Sequence, residues 1–283
     1  MFSALRSIRE TGRGLRTLAS FANLGTPRGY MYRGATFFAA HVALDERLAE
    51  RWLPPGLSLA RPATATVFAS HFPETTFGSV YDEAGIFFHV KRRLRRGVFC
   101  PWMVVTDDVA LIVGRELLGY PKKLARVSFT YGSGSEGSEV HAEVERRGRV
   151  LLTMRGRIGE AVTDAPPMLG QRTLNVRGAL AIGAQRLVTF TPRERVLEVR
   201  RASAEVLVER ERARQEQRER GNSADRRRDR DREEGLDPIA MMGLGAVLSA
   251  HFYRVDVGAG LPPREVRRAG LGFAMRSLGA RWI

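Results

Sequence analysis

A single cysteine, Cys100, stands in the whole 283-residue chain. It excludes an internal disulfide, and a reducing compartment such as the cytoplasm is the expected setting for a fold without a covalent staple. The histidines, at positions 41, 71, 89, 141 and 251, have no ligand spacing, so no protein-built metal site is expected. Nor is there a run of roughly 20 apolar residues of the kind that crosses a bilayer as a helix. The longest apolar stretch, residues 239–252, is broken by Ser249 and His251 and reads as a core segment. No internal repeat is apparent.

Acids are in deficit, 31 against 46 basic residues, for a formal charge of +15. Such a field concentrates any anion near the surface, whether nucleic acid, anionic membrane or small molecule. A nucleic-acid surface would interleave bases with aromatics on one element, whereas the densest charged run, 209–234, mixes both signs. No nucleic-acid partner is expected.

With 43% hydrophobic residues, the chain can bury a substantial core as one large domain. A basic leader is read at 1–30, a main domain at 31–260 carrying the charged insert 209–234, and a basic tail at 261–283. The leader, with Arg6, Arg9, Arg13 and Arg16 among apolar residues, has the composition of a transit peptide or a membrane-surface helix. Gly12 and Gly14 weaken it as a helix, so membrane contact by the basic tails is not expected. The insert has no apolar period and is either an ion-paired solvated helix or a disordered loop.

From Ala35 the pattern is ordered. A strand-like run (TFFAAHVAL) leads to Asp45, which can cap a short helix ending near Pro54-Pro55-Gly56. The run TATVFAS at 64–70 precedes a loop (ETTFGSVYDEAG), and a strand follows at 86–90. Thr106-Asp107-Asp108 opens a helix that Gly119 and Pro121 end, leaving Lys122 and Lys123 at its exit. Beyond it, strands are expected at 127–131, 140–144, 150–158, 187–190, 195–208 and 250–257. Many strands and few short helices point to an α+β, mostly β fold with a closed or strongly curved antiparallel sheet.

Residues 114–124, GRELLGYPKKL, carry the chemistry. Two adjacent lysines fixed by a proline and set beside Leu117, Leu118, Tyr120 and Leu124 would each disfavour the other's charge. The more desolvated amine would then lose its proton more readily and become a nucleophile. This segment resembles the signature of the acetoacetate decarboxylase family, in which a Gly-Arg-Glu helix end leads through an aromatic-Pro-Lys-Lys turn. The loop FGSVYDEAG at 77–85 resembles the family's Tyr-x-Glu segment, and weaker similarity runs from about Tyr32 through LPPGL at 53–57 to the strand at 250–257.

The resemblance implies a curved closed barrel of cone-like shape flanked by extra strands and short helices, assembled as a homo-oligomer around a lysine in an apolar cavity. It implies Lys122 as the Schiff-base lysine, Lys123 as the neighbour that shapes its reactivity, and Glu83 as the carboxylate facing it. Arg33 falls near the family's substrate-binding arginine, while the family's second glutamate falls at Phe68 or Ala69, which cannot ionise. Glu74 lies nearby in sequence. Arg115 and Glu116 read as a structural pair at the helix end.

The expected activity is decarboxylation of a small-molecule β-keto acid, acetoacetate first among them, with no cofactor because the imine is the electron sink. An aldolase, dehydratase or cyclase using the same lysine on a larger keto acid is the alternative within the enzyme class. A non-catalytic binding protein on the same fold is the alternative outside it.

Overall fold

A computed structural model describes residues 31–178, 185–209, 237–258 and 263–268. The basic leader, nearly all of the charged insert and the last residues of the tail lie outside these.

The described chain is mostly strand. In order it runs through β1 (Tyr32–Leu44), α1 (Glu46–Glu50), β2 (Ser58–Leu59), β3 (Thr64–Phe72), β4 (Glu74–Thr75), β5 (Tyr81–Arg92) and β6 (Arg95–Val105). Then come α2 (Asp108–Ile112), a π-helical turn (Val113–Leu117), β7 (Lys122–Leu124), β8 (Arg126–Thr130), β9 (Glu139–Arg146) and β10 (Arg149–Ala161). The last elements are β11 (Thr173–Arg177), β12 (Arg186–Phe190), β13 (Arg193–Ala202), β14 (Glu205–Val208), a 3-10 turn (Pro238–Met241), β15 (Leu244–Gly258) and β16 (Arg264–Arg268).

These strands form one sheet in the order β16-β12-β11-β6-β5-β3-β1-β15-β13-β10-β9-β8. The pairings are antiparallel except β6 with β7 and β6 with β11, which are parallel. The closed barrel expected from sequence is not reached: the path runs from β16 to β8 without the ends pairing, among the described residues. Register shifts in β1–β15, β5–β6 and β13–β15 bend the sheet, since each extra residue in one strand increases local twist and curvature.

The curvature leaves apolar residues on both faces. One cluster contains Phe38, Val42, Ile86, Phe88, Trp102, Val104 and Phe252. The other contains Phe37, Phe68, Phe72, Phe87, Met103 and Tyr253. Neighbours such as Phe37 and Phe38, Phe87 and Phe88, or Phe252 and Tyr253 therefore point to opposite sides, as alternation along a strand requires. Strands covered on both faces read as continuous apolar runs. The stretch 239–252, expected as a core segment, is instead a 3-10 turn followed by the first part of β15, where burial becomes continuous only near Ala250 and Leu248 is exposed. No helix among the described residues is long and apolar enough to cross a membrane.

Three local expectations change. Strand β5 begins at Tyr81, so Glu83 is a strand residue and not part of a loop. The helix expected up to Leu118 is one α-turn and then a π-turn. The tail contributes a strand: β16 pairs antiparallel with β12, and Val266 packs on the core.

Candidate active site

Lys122 and Glu83 meet because β6 pairs with both of their strands. In the parallel β6–β7 register Lys122 is opposite Met103, and in the antiparallel β5–β6 register Glu83 is opposite Val105. Met103 and Val105 belong to the second apolar cluster, so both charged side chains turn into that side of the sheet. The Lys122 Nζ lies 2.6 Å from Glu83 Oε2, with the two side chains only 4% and 7% exposed. It is a close charge contact without the alignment of a hydrogen bond.

Two aromatic rings flank the amine, with centroids 5.5 Å away for Tyr81 and 5.8 Å for Tyr120. Burial, with Glu83 adding repulsion, raises the hydroxyl pKa of both tyrosines well above the usual value. Each is thus held as a neutral donor. The Tyr81 hydroxyl is buried, with the Tyr32 hydroxyl as its neighbour, and both phenols line the cavity that holds the amine.

The backbone around the lysine is tightly specified. Asp107 caps α2 through the Ala110 N–H, and the π-turn then carries Gly114 against the lysine stem. A Cβ on Gly114 would sit 2.5 Å from Lys122 Cδ, so a side chain at this position would push the lysine stem from its present path to Glu83. π-Turns of this kind recur at functional sites. Arg115 Nη1 donates to the Lys122 carbonyl at 3.2 Å, which fixes the strand that follows. Gly119, at φ +73°, turns the chain against the backbone of Val176. Asn175 secures the turn from β11 by donating to the Leu118 carbonyl and accepting from the Cys100 N–H.

Lys123 does not share this site. Its register partner is Val104, of the opposite cluster, and its Nζ lies 3.2 Å from Asp237 Oδ2. Asp237 Oδ1 also accepts from Trp102 Nε1 at 2.8 Å. Burial lowers the Lys123 pKa, with Asp237 opposing and Arg146 and Arg147 reinforcing. Adjacent lysines on one strand face opposite ways, so the mutual repulsion expected from their sequence adjacency is replaced by two separate buried ion pairs.

Arg33 is not brought to the cavity either. Its neighbour Tyr32 lines the cavity, whereas Arg33 is 65% exposed and sits 3.8 Å from Glu74, itself 66% exposed. This is a surface pair across β1 and β4.

The cavity, of about 100 Å³, is mainly apolar. Phe37, Phe68, Phe72, Phe87, Met103 and Phe190 are among its walls. Of Phe68 and Ala69, the two positions where the resemblance puts the family's second glutamate, Phe68 lines the cavity. It stacks on Phe87 with centroids 5.5 Å apart and lies against Gly85, where a Cβ would be 2.9 Å from the ring. The polar lining comprises Lys122, Glu83, Tyr32, Tyr81, Tyr120, Gln171, Thr173 and Glu194. Sequence reasoning missed Tyr120 as a cavity residue, although it belongs to the GYPKK segment. Glu194 carried no local signal, because only the pairing of β13 with β15 brings it to the cavity.

A mostly β, curved sheet holding a buried lysine against a carboxylate in an apolar cavity defines the class. The family model described as acetoacetate decarboxylase (ADC) matches residues 21–262, and the chain belongs to that family. The acetoacetate decarboxylase of Acidiphilium cryptum (strain JF-5) is 30% identical over 121 residues, 42% of this chain and 47% of that protein. The match thus spans about half the length of that curated relative.

Among solved structures, the acetoacetate decarboxylase of Legionella pneumophila subsp. pneumophila str. Philadelphia 1 superposes with a TM-score of 0.67 at 14% identity, covering 86% of this chain and 88% of that one. The enduracididine biosynthesis enzyme MppR, complexed with pyruvate, gives a TM-score of 0.62 at 15% identity, with coverage of 82% and 88%. These two likenesses establish the fold.

Proposed function

We propose that the protein is a carbon–carbon lyase that decarboxylates a β-keto acid through an imine on Lys122, with acetoacetate the shortest substrate of the class. The observation that carries this reading is the 2.6 Å approach of the Lys122 amine to Glu83 inside an apolar cavity. A buried carboxylate at that distance is placed to exchange protons with the amine and with substrate atoms bound to it.

The neutral amine then attacks the ketone carbon, and the carbinolamine loses water to give an iminium. The bond to the carboxylate carbon breaks, carbon dioxide leaves, and its electron pair moves into the iminium to form an enamine. Protonation at carbon and hydrolysis release the ketone and the free amine. Glu83 is suited to relay protons in these steps, and the Tyr81 hydroxyl, whose ring lies 5.5 Å from the amine, is placed to donate to substrate oxygen. An apolar cavity also desolvates the substrate carboxylate, which favours loss of its charge as carbon dioxide. No cofactor enters this scheme, and Lys123 acts only by holding β7 through Asp237.

A second reading, imine chemistry such as aldol cleavage or dehydration on a larger keto acid, is favoured by one feature. No arginine of the described residues lines the cavity, and Phe68, at one of the two positions expected for a second carboxylate, lines it instead. Product analysis separates the two: stoichiometric carbon dioxide and acetone from acetoacetate, abolished in Lys122→Arg, supports decarboxylation. Products without carbon dioxide support the second reading.

A further inference from the structure

The cavity has a second polar end that the imine chemistry does not use. Glu194 lines it from β13, which is separated from Glu83 on β5 by β3, β1 and β15 in sheet order. Phe37, Phe68 and Met168 are among the apolar walls of the same cavity. Glu83 acts electrostatically on Tyr32, Tyr81 and Tyr120, whereas Glu194 acts on Tyr253. The two carboxylates therefore belong to different ends of one cavity.

Glu194 is partly buried, and no cation of the described residues pairs with it. Its hydrogen bond is from the Gly170 N–H to Oε2, at 2.6 Å. Burial raises its pKa, and the Gly170 amide opposes that rise by favouring the ionised form. Gln171, next to Gly170, lines the same end. A carboxylate with spare acceptor capacity, set beside apolar walls and without a counter-ion among the described residues, is suited to receive a donor from a ligand.

We propose that Glu194 binds an O–H or N–H donor at the far end of a keto acid longer than acetoacetate, so that the preferred substrate is a β-keto acid with a distal hydroxyl or amine. The inference rests on the reading of Lys122 as the imine-forming residue. Acetoacetate, ending in a methyl group next to its ketone, would leave the Glu194 end empty. The apolar walls would carry the intervening carbons, and the anionic end would reject a second carboxylate.

The test uses pairs of 3-oxo acids of increasing chain length that end in either a hydroxyl or a methyl group. Each is assayed for turnover and for borohydride-trapped adducts on Lys122, in the wild type and in Glu194→Leu and Glu194→Gln. At the chain length that spans the cavity, the hydroxyl substrate should show about tenfold higher kcat/KM than its methyl partner, as the loss of a charge-assisted hydrogen bond implies. Glu194→Leu should remove that preference, with the loss falling on the hydroxyl substrate, and Glu194→Gln, which keeps the shape and one acceptor, should retain part of it. Adducts on Lys122 with equal turnover of both partners at every length would overturn the inference and leave the imine reading intact. An equal loss on both partners in Glu194→Leu would also overturn it. No adduct on Lys122 with any substrate would remove both.

Discussion

The Lys122 amine and the Glu83 carboxylate, 2.6 Å apart and almost fully buried, come from strands that are not neighbours in the sheet but are both paired to β6. Removing one member of such a pair strands the other without compensation, which typically costs about 3–5 kcal/mol. Glu83→Leu should therefore lower the melting temperature more than the double change Glu83→Leu with Lys122→Met, and thermal denaturation measures the difference. Equal destabilisation would mean that the two groups are not coupled.

A separate prediction concerns the second lysine. The Lys123–Asp237 pair lies on the opposite face from Lys122, so the double variant Lys123→Met with Asp237→Asn should leave the pH dependence of imine formation at Lys122 unmoved. Asp237→Asn alone leaves the lysine charge buried and should cost about 3 kcal/mol of stability. A displaced pH profile in the double variant would restore charge repulsion between the lysines as the tuning device.

The outcome for the lysine pair marks what could be read from sequence. The strand-rich class, the Lys-Lys turn and the Tyr-x-Glu segment were legible because each is local: apolar runs, turn residues and short contiguous motifs. The direction of each lysine was not, since it depends on β7 pairing parallel to β6. Strand β5 was read short for a related reason. Burial on both faces removes the alternation that marks a strand, and Tyr81 and Glu83 looked like loop residues. The family resemblance points to Arg33 as a site residue, and the one-residue alternation along β1 turns it outward beside Tyr32. Glu194 required the long-range pairing of β13 with β15, which no local pattern reports.

Space beside the lysine is also testable. Gly114→Ala places a methyl group 2.5 Å from the original position of Lys122 Cδ, and overpacking of this kind costs about 1–3 kcal/mol. The expected result is a modest fall in melting temperature with at least about a tenfold loss of imine formation, because a displacement near 1 Å at a reacting group is that expensive. Unchanged imine formation would show that the stem can move aside.

Tyr81→Phe separates a folding role from a substrate role. The hydroxyl is buried beside that of Tyr32, so its removal should cost no more than about 1 kcal/mol of stability. A fall in kcat with little change in KM would then identify a donor used in the reaction; unaltered kinetics would exclude it.

Away from the cavity, burial lowers the His89 pKa from 6.5 to about 4, with His41 and Arg96 reinforcing. The folded state resists protonating this ring while the unfolded chain accepts the proton near 6.5. Its contribution to stability is therefore present above 6.5 and lost as pH falls toward 4. His89→Gln should flatten the dependence of melting temperature on pH across that window, and a slope equal to the wild type would assign the acid sensitivity to other groups.

An imine on Lys122 can be trapped by reduction. Lysine occurs only at positions 91, 122 and 123, so a borohydride-reduced adduct is readily mapped. The purified protein, incubated with acetoacetate, reduced and digested, should carry an isopropyl group on Lys122 and none on Lys123, which records both imine formation and loss of carbon dioxide. An unmodified Lys122 under conditions where acetone is produced would contradict the account outright.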